Sequence, residues 1–117
     1  MTNSKRKGKN GELEAAKEIG RLFGTMARRG QQFSGSPDSP DIVTGLSGIH
    51  FEVKRVEAFR LYDALSQASG DASEDDIPVV LHRKNGEKWV AVLYLEDLPE
   101  AAARLLDDSP KENRGYL

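Results

Sequence analysis

Two stretches of this 117-residue chain carry residue types that could do hydrolytic chemistry together: Pro40-Asp41-Ile42-Val43 and, a short turn later, Glu52-Val53-Lys54. A strand sets residues two apart on the same face, so Glu52 and Lys54 stand side by side. If the Asp41 segment pairs with that strand across a turn at 45–48, its carboxylate converges with Glu52. Two hard oxygen ligands on adjacent strands suit Mg²⁺, which takes few carboxylates and keeps several waters. A lysine ammonium beside such an ion can orient an attacking water or stabilise charge developing on a phosphate. Glu-Val-Lys alone is a cheap pattern, because charged pairs two apart on a strand commonly form a solvated face. The Pro-Asp that precedes it, in a loop-to-strand context, gives it weight.

Glu12 adds a third carboxylate. Positions 12, 16, 19 and 23 step by 4, 3 and 4, which puts Glu12 on one helix stripe with Ala16, Ile19 and Phe23. Glu14 belongs with Glu18 and Arg21 on the polar side. Both glutamates follow Asn10, a good N-cap, and would complement the helix dipole equally well. Only a site under the sheet prefers Glu12. His50 shares the Glu52 face, although a lone histidine is more often structural. His82 simply ends an apolar strand, Asp75-Asp76 reads as a solvated acidic loop, and Phe51, Trp89 and Leu93 read as core.

The elements that must position these groups follow from hydrophobic period and turn chemistry. After a basic flexible arm over residues 1–9, a helix is expected from Asn10 to Phe23, stopped by Gly24. Extended chain follows over 25–33, then a Ser/Pro/Gly loop over 34–40 and a short strand at 41–43. Residues 49–54 alternate strictly, with Ile49, Phe51 and Val53 on one side and His50, Glu52 and Lys54 on the other. A second helix over 60–69 carries the stripe Leu61, Ala64, Leu65 and Ala68. Strands at 78–82 and 89–95 are joined through Asn85-Gly86, a strong hairpin signal. A last helix spans 98–106, the single domain runs over 10–109, and 110–117 is a loose tail.

Length and composition bound the rest. One compact α/β domain accounts for the chain, and no apolar run approaches the length that spans a bilayer. Zero cysteine excludes disulfide frameworks, cysteine nucleophiles and thiolate zinc sites. The basic N-terminus leads into a charged segment and not a signal-peptide core, so a soluble cytoplasmic protein without a membrane partner is expected. The net charge of −2 conceals a split: residues 1–60 hold 11 basic and 7 acidic side chains, residues 61–117 hold 6 and 12. A basic half fits a polyanion partner; a merely solvated charged surface fits it as well.

Lys7-Gly8-x-x-x-Glu12, Pro40-Asp41-Ile42-Val43 and Glu52-Val53-Lys54, in this order, resemble the PD-(D/E)XK nuclease superfamily. Within it the chain is most similar to the small Holliday junction resolvases of the archaeal type and of bacteriophages and prophages. The likeness runs over residues 7–95 and includes Arg28-Arg29-Gly30, Gly48 through Arg55, and Tyr62 to Gln67. It implies a restriction-endonuclease-like αβββαβ core, a mixed central sheet flanked by helices. It implies a site in which Asp41, Glu52 and the carbonyl of Val53 bind Mg²⁺, with Mn²⁺ able to substitute. Lys54 would then be the catalytic lysine, Glu12 the helical glutamate that completes the site, and Gln67 a helix glutamine near it or else a plain surface residue. Arg28, Arg29 and Arg55 would contact phosphates, joined by Lys5, Arg6, Lys7 and Lys9 of the basic arm. The expected activity is structure-selective cleavage of branched DNA, four-way junctions above all, by a homodimer acting in a host cytoplasm. Nucleases of the same fold for flaps or other branches, and a catalytically vestigial DNA-binding module, are the alternatives. The short chain and its acidic second half are where it departs from the family pattern.

Overall fold

The computed structural model describes residues 4–30 and 40–106. The elements are α1 (Ser4–Phe23), β1 (Ala27–Arg29), β2 (Ile42–Thr44), β3 (Ile49–Arg55), α2 (Leu61–Asp71), β4 (Ile77–Arg83), β5 (Val90–Val92) and α3 (Leu98–Leu105), the last entered through a 3₁₀ turn at Leu95–Asp97. Residues 31–33 of the expected extended segment, the loop at 34–39 and the tail at 110–117 lie outside the described residues, as do the side chains of Lys5, Arg6 and Lys7.

α1 begins at Ser4, well before Asn10. Residues 5–10 contain neither proline nor a β-branched side chain, and lysine and arginine are good helix formers, so the helix propagates through the segment expected to be an arm. Asn10 is therefore an internal residue and not a cap. The first turn holds no acidic side chain, which removes the dipole as an explanation for Glu12 or Glu14. At the other end, Gly24 takes φ +63° and its N–H donates to the Gly20 carbonyl (2.9 Å), a left-handed stop that glycine adopts without strain.

The five strands form one mixed sheet in the order β1-β2-β3-β4-β5. Only β3 and β4 run parallel, paired over seven residues from Ile49↔Ile77 to Arg55↔Arg83. That connection requires a crossover, and α2 supplies it. β4 turns back into β5 through a hairpin in which Gly86 has φ +78° and Glu87 N–H donates to the Lys84 carbonyl (3.1 Å).

α1 and α3 cover one face, where Ala15, Ala16, Ile19 and Ala101 pack on Ile42, Phe51, Val53, Val79 and Leu81. α2 covers the opposite face through Ala64, Leu65 and Ala68 against Val80. β3 is thus buried on both sides, as strands of a parallel pair commonly are, and His50 and Glu52 lie in the interior, not on a solvated face. β2, by contrast, pairs with β3 through the single register pair Ile42↔Phe51. The two strands separate immediately beyond it, and the Asp41 carboxylate sits in that fork. Arg104 of α3 pins the turn before β3 by donating to the carbonyls of Gly48 (2.7 Å) and Asp75 (2.8 Å). Among the described residues, no helix is long and apolar enough to cross a membrane.

Candidate active site

The fork between β2 and β3 is stitched by one side chain. Asp41 donates its backbone N–H to the Phe51 carbonyl (3.0 Å), while its Oδ2 accepts the N–H of Val53 (2.8 Å). A carboxylate thus occupies the place where a strand carbonyl would ordinarily continue the ladder. In a strand the N–H and C=O of one residue point toward the same neighbour, so the Val53 carbonyl faces the same fork. Pro40, the next residue back, brings no N–H to offer it.

Glu52 reaches the fork from β3, and the two carboxyl groups are close enough to share a hydrogen bond. Burial holds the Asp41 carboxyl far above the usual carboxylate range, up to about 7. The Val53 N–H works against that shift, and the negative charges of Glu52 and Glu12 add to it. Glu12 acts on this cluster from α1, held by Arg29, whose Nε donates to Glu12 Oε1 (2.6 Å). Glu14 faces elsewhere and pairs with Arg83 (2.9 Å) and Arg55 (3.7 Å). The stripe that separates Glu12 from Glu14 in the sequence is therefore real, although the helix begins earlier than its spacing suggests.

Lys54 and Gln67 also meet: Lys54 Nζ donates to Gln67 Oε1 (3.1 Å), tying β3 to α2 beside a groove of about 230 Å³ that Phe59 and Arg60 also line. His82, one strand over, donates from Nδ1 to the Lys54 carbonyl (2.8 Å) and stacks on Phe59 with ring centroids 3.9 Å apart. Its role is to fix the backbone under Lys54, which is more than ending a strand. His50 is a direct partner of the site: its Nε2–H donates to Glu52 Oε1 (3.0 Å), with both side chains almost fully buried. Burial pulls the His50 pKa down, but the hydrogen bond and charge of Glu52, then the charges of Asp41 and Asp71, outweigh it and hold it above its ordinary value. The signal for this pair was the two-residue spacing on one strand face. The Arg29–Glu12 pair spans seventeen positions and had no local signal.

The expected phosphate ligands separate. Lys9 is exposed. Arg28 is exposed on β1, with no ion pair among the described residues, and Arg29 is half-exposed but engaged by Glu12. Arg55 is engaged within the fold. Its side chain is only 14% exposed, and the guanidinium donates to Asn85 (2.8 Å) and Glu57 (3.3 Å). It braces β3 against the hairpin, so its side chain already serves the fold.

Among the described residues, no three His, Asp or Glu side chains form a ready cluster for a metal ion. Asp41 and Glu52 with the Val53 carbonyl are a smaller set, two carboxylates and a backbone oxygen, of the kind Mg²⁺ accepts alongside its waters. The repulsion that adds to the rise of the Asp41 pKa is the fit: the donor set carries negative charge that a small hard cation would neutralise. Comparison with protein-family models, with curated proteins and with solved structures returned no match.

Proposed function

We propose that the chain is a metal-dependent endonuclease of the PD-(D/E)XK type that cuts branched DNA, four-way junctions in particular. The observation that carries this reading is the fork itself. Asp41 and Glu52 converge there, the Val53 carbonyl faces them, and Lys54 follows directly on β3. The element order through β4, one helix, three strands, a helix and a strand, is the αβββαβ order of that superfamily.

In this reading Asp41, Glu52 and the Val53 carbonyl hold Mg²⁺, or Mn²⁺ in its place, with Glu12 at the flank. When bound, the cation supplies Lewis acidity and a lower pKa for water. Lys54, steadied by Gln67, places a fixed positive charge where the phosphate gains negative charge in the transition state. His50 keeps Glu52 from turning away. Arg28 and Lys9 meet flanking phosphates. A two-fold dimer would set two such sites against the approximate two-fold symmetry of a junction.

Incubating the protein with labelled four-way junction, flap and linear duplex, each with Mg²⁺ and with EDTA, tests the proposal. Paired nicks in the junction only with Mg²⁺ are the expected result. Intact substrates throughout would overturn the assignment, and cutting of flaps alone would redirect it to another branch.

A further inference from the structure

The +4 and −6 halves of the sequence do not correspond to two halves of the molecule. β3 and β4 are parallel and in register, so Lys54, Arg55, Arg83 and Lys84 share one end of the sheet. α2 starts at that end, bringing Arg60. The first half of α1 lies there too, with Gly11 against Arg55 and Glu14 paired to Arg83. The acidic loop at 71–76 lies at the opposite end, where α2 feeds β4.

At the basic end the β4–β5 hairpin frames a cleft of about 420 Å³ lined by His82, Arg83, Lys84, Glu87 and Lys88 among others. Lys84 and Lys88 are exposed, and neither has an ion pair among the described residues, whereas Arg83 is tied to Glu14 and to the Glu87 carbonyl. His82 lines this cleft and stacks on Phe59, which lines the groove that holds Lys54 and Gln67. One ring pair therefore separates the two depressions.

We propose that the β4–β5 hairpin is a second nucleic-acid contact, in which Lys84 and Lys88 seat the backbone phosphates of the DNA arm that leaves the Lys54 groove. This rests on the DNA-binding part of the proposed function and extends it, because it places the interface partly in the acidic half of the sequence. A contact made to phosphates carries no sequence information, so it would serve duplex arms of any sequence.

The test is equilibrium binding of the full chain to a labelled four-way junction across a salt series in EDTA, for wild type, Lys84→Ala/Lys88→Ala, Lys84→Arg/Lys88→Arg and, as a control for net charge, Lys17→Ala. Removing one lysine–phosphate pairing lowers the slope of log K against log salt by about 0.9. The alanine pair should lower it by between one and two such steps and weaken binding several-fold. The arginine pair should keep the wild-type slope, and so should Lys17→Ala. An alanine pair that binds with wild-type affinity and slope overturns the inference, as does a wild type that binds no DNA. Binding without Mg²⁺-dependent cutting would sink the nuclease reading alone and leave the hairpin contact standing.

Discussion

Asp41 is the residue on which most depends, and its burial makes a pH prediction with a definite sign. Its folded pKa, about 7, lies above the unfolded value of 3.8, so the folded state holds the proton more tightly. That stabilisation is complete below the unfolded value and is lost as pH rises toward 7. In EDTA, Asp41→Asn should therefore melt higher than wild type at pH 8, and the gap should close toward pH 4. Asn still offers an oxygen to the Val53 N–H, so the fork's hydrogen bond survives. Calorimetric titration should also show Mg²⁺ or Mn²⁺ binding that weakens sharply in this variant. Parallel pH–melting curves with unchanged divalent binding would remove Asp41 from the site. Lys54 makes a different kind of claim, since its contact with Gln67 is exposed and holds little of the fold. Lys54→Ala should abolish cutting while junction binding survives, with melting almost unmoved. Near wild-type single-turnover rates would make it an ordinary surface lysine.

At the scale of elements, α1 decides between Glu12 and Glu14. With neither in the first turn, the dipole does not distinguish them and their partners do: Glu12 lies by Arg29 and the fork, Glu14 by Arg55 and Arg83. Glu12→Gln should cost orders of magnitude in cleavage rate. Glu14→Gln should leave the rate nearly intact and reduce stability by about 0.2–1 kcal/mol, the worth of a partly exposed ion pair. Equal rates would reduce Glu12 to a charge that happens to face inward. Gly11 is a second element-scale test, because a Cβ there would stand 2.5 Å from the Arg55 Cβ. Gly11→Ala should destabilise by about 1–3 kcal/mol, as overpacking does, read from denaturant unfolding. These elements also show what is legible in the sequence. The hairpin at Asn85-Gly86, the α2 stripe and the β3 alternation depend on local period and turn chemistry, which are written into consecutive residues. The start of α1 is not legible in that way, because Asn10 is a good cap only where the preceding chain has a strong reason to leave the helix, and Gly8 alone is too weak a breaker to supply one. Burial of His50 and Glu52 is hidden because alternation reports one face of a strand. That α2 covers the other face depends on a parallel pairing with β4, which no local pattern announces.

For the whole molecule, the question is which cations hold the fold and which await a partner, and the two classes are indistinguishable as letters in a sequence. By sequence, Arg28 and Arg55 are expected to do the same thing. Arg28 stands exposed on the edge strand β1 without an ion pair among the described residues, whereas Arg55 joins β3 to the hairpin through Asn85, to the following loop through Glu57, and to α1 through Glu14. Removing Arg55 takes a donor from the partly buried Arg83 carbonyl and breaks its exposed pairings with Asn85, Glu57 and Glu14, together costing on the order of 1 kcal/mol. Arg55→Ala should accordingly lower the melting temperature by several degrees. Any fall in DNA affinity it shows should track the unfolded fraction, with the salt slope of the folded protein preserved. Arg28→Ala should do the reverse, with melting unchanged and the slope of log K against log salt shallower by about 0.9, one phosphate's worth of released counterion. Measuring melting and salt-dependent junction binding on the same two variants separates the roles. An Arg28→Ala protein with the wild-type slope would move the DNA path off β1 and toward the end of the sheet where Lys54, Lys84 and Lys88 lie. An Arg55→Ala protein that melts like wild type but binds with a shallower slope would return Arg55 to the phosphate surface.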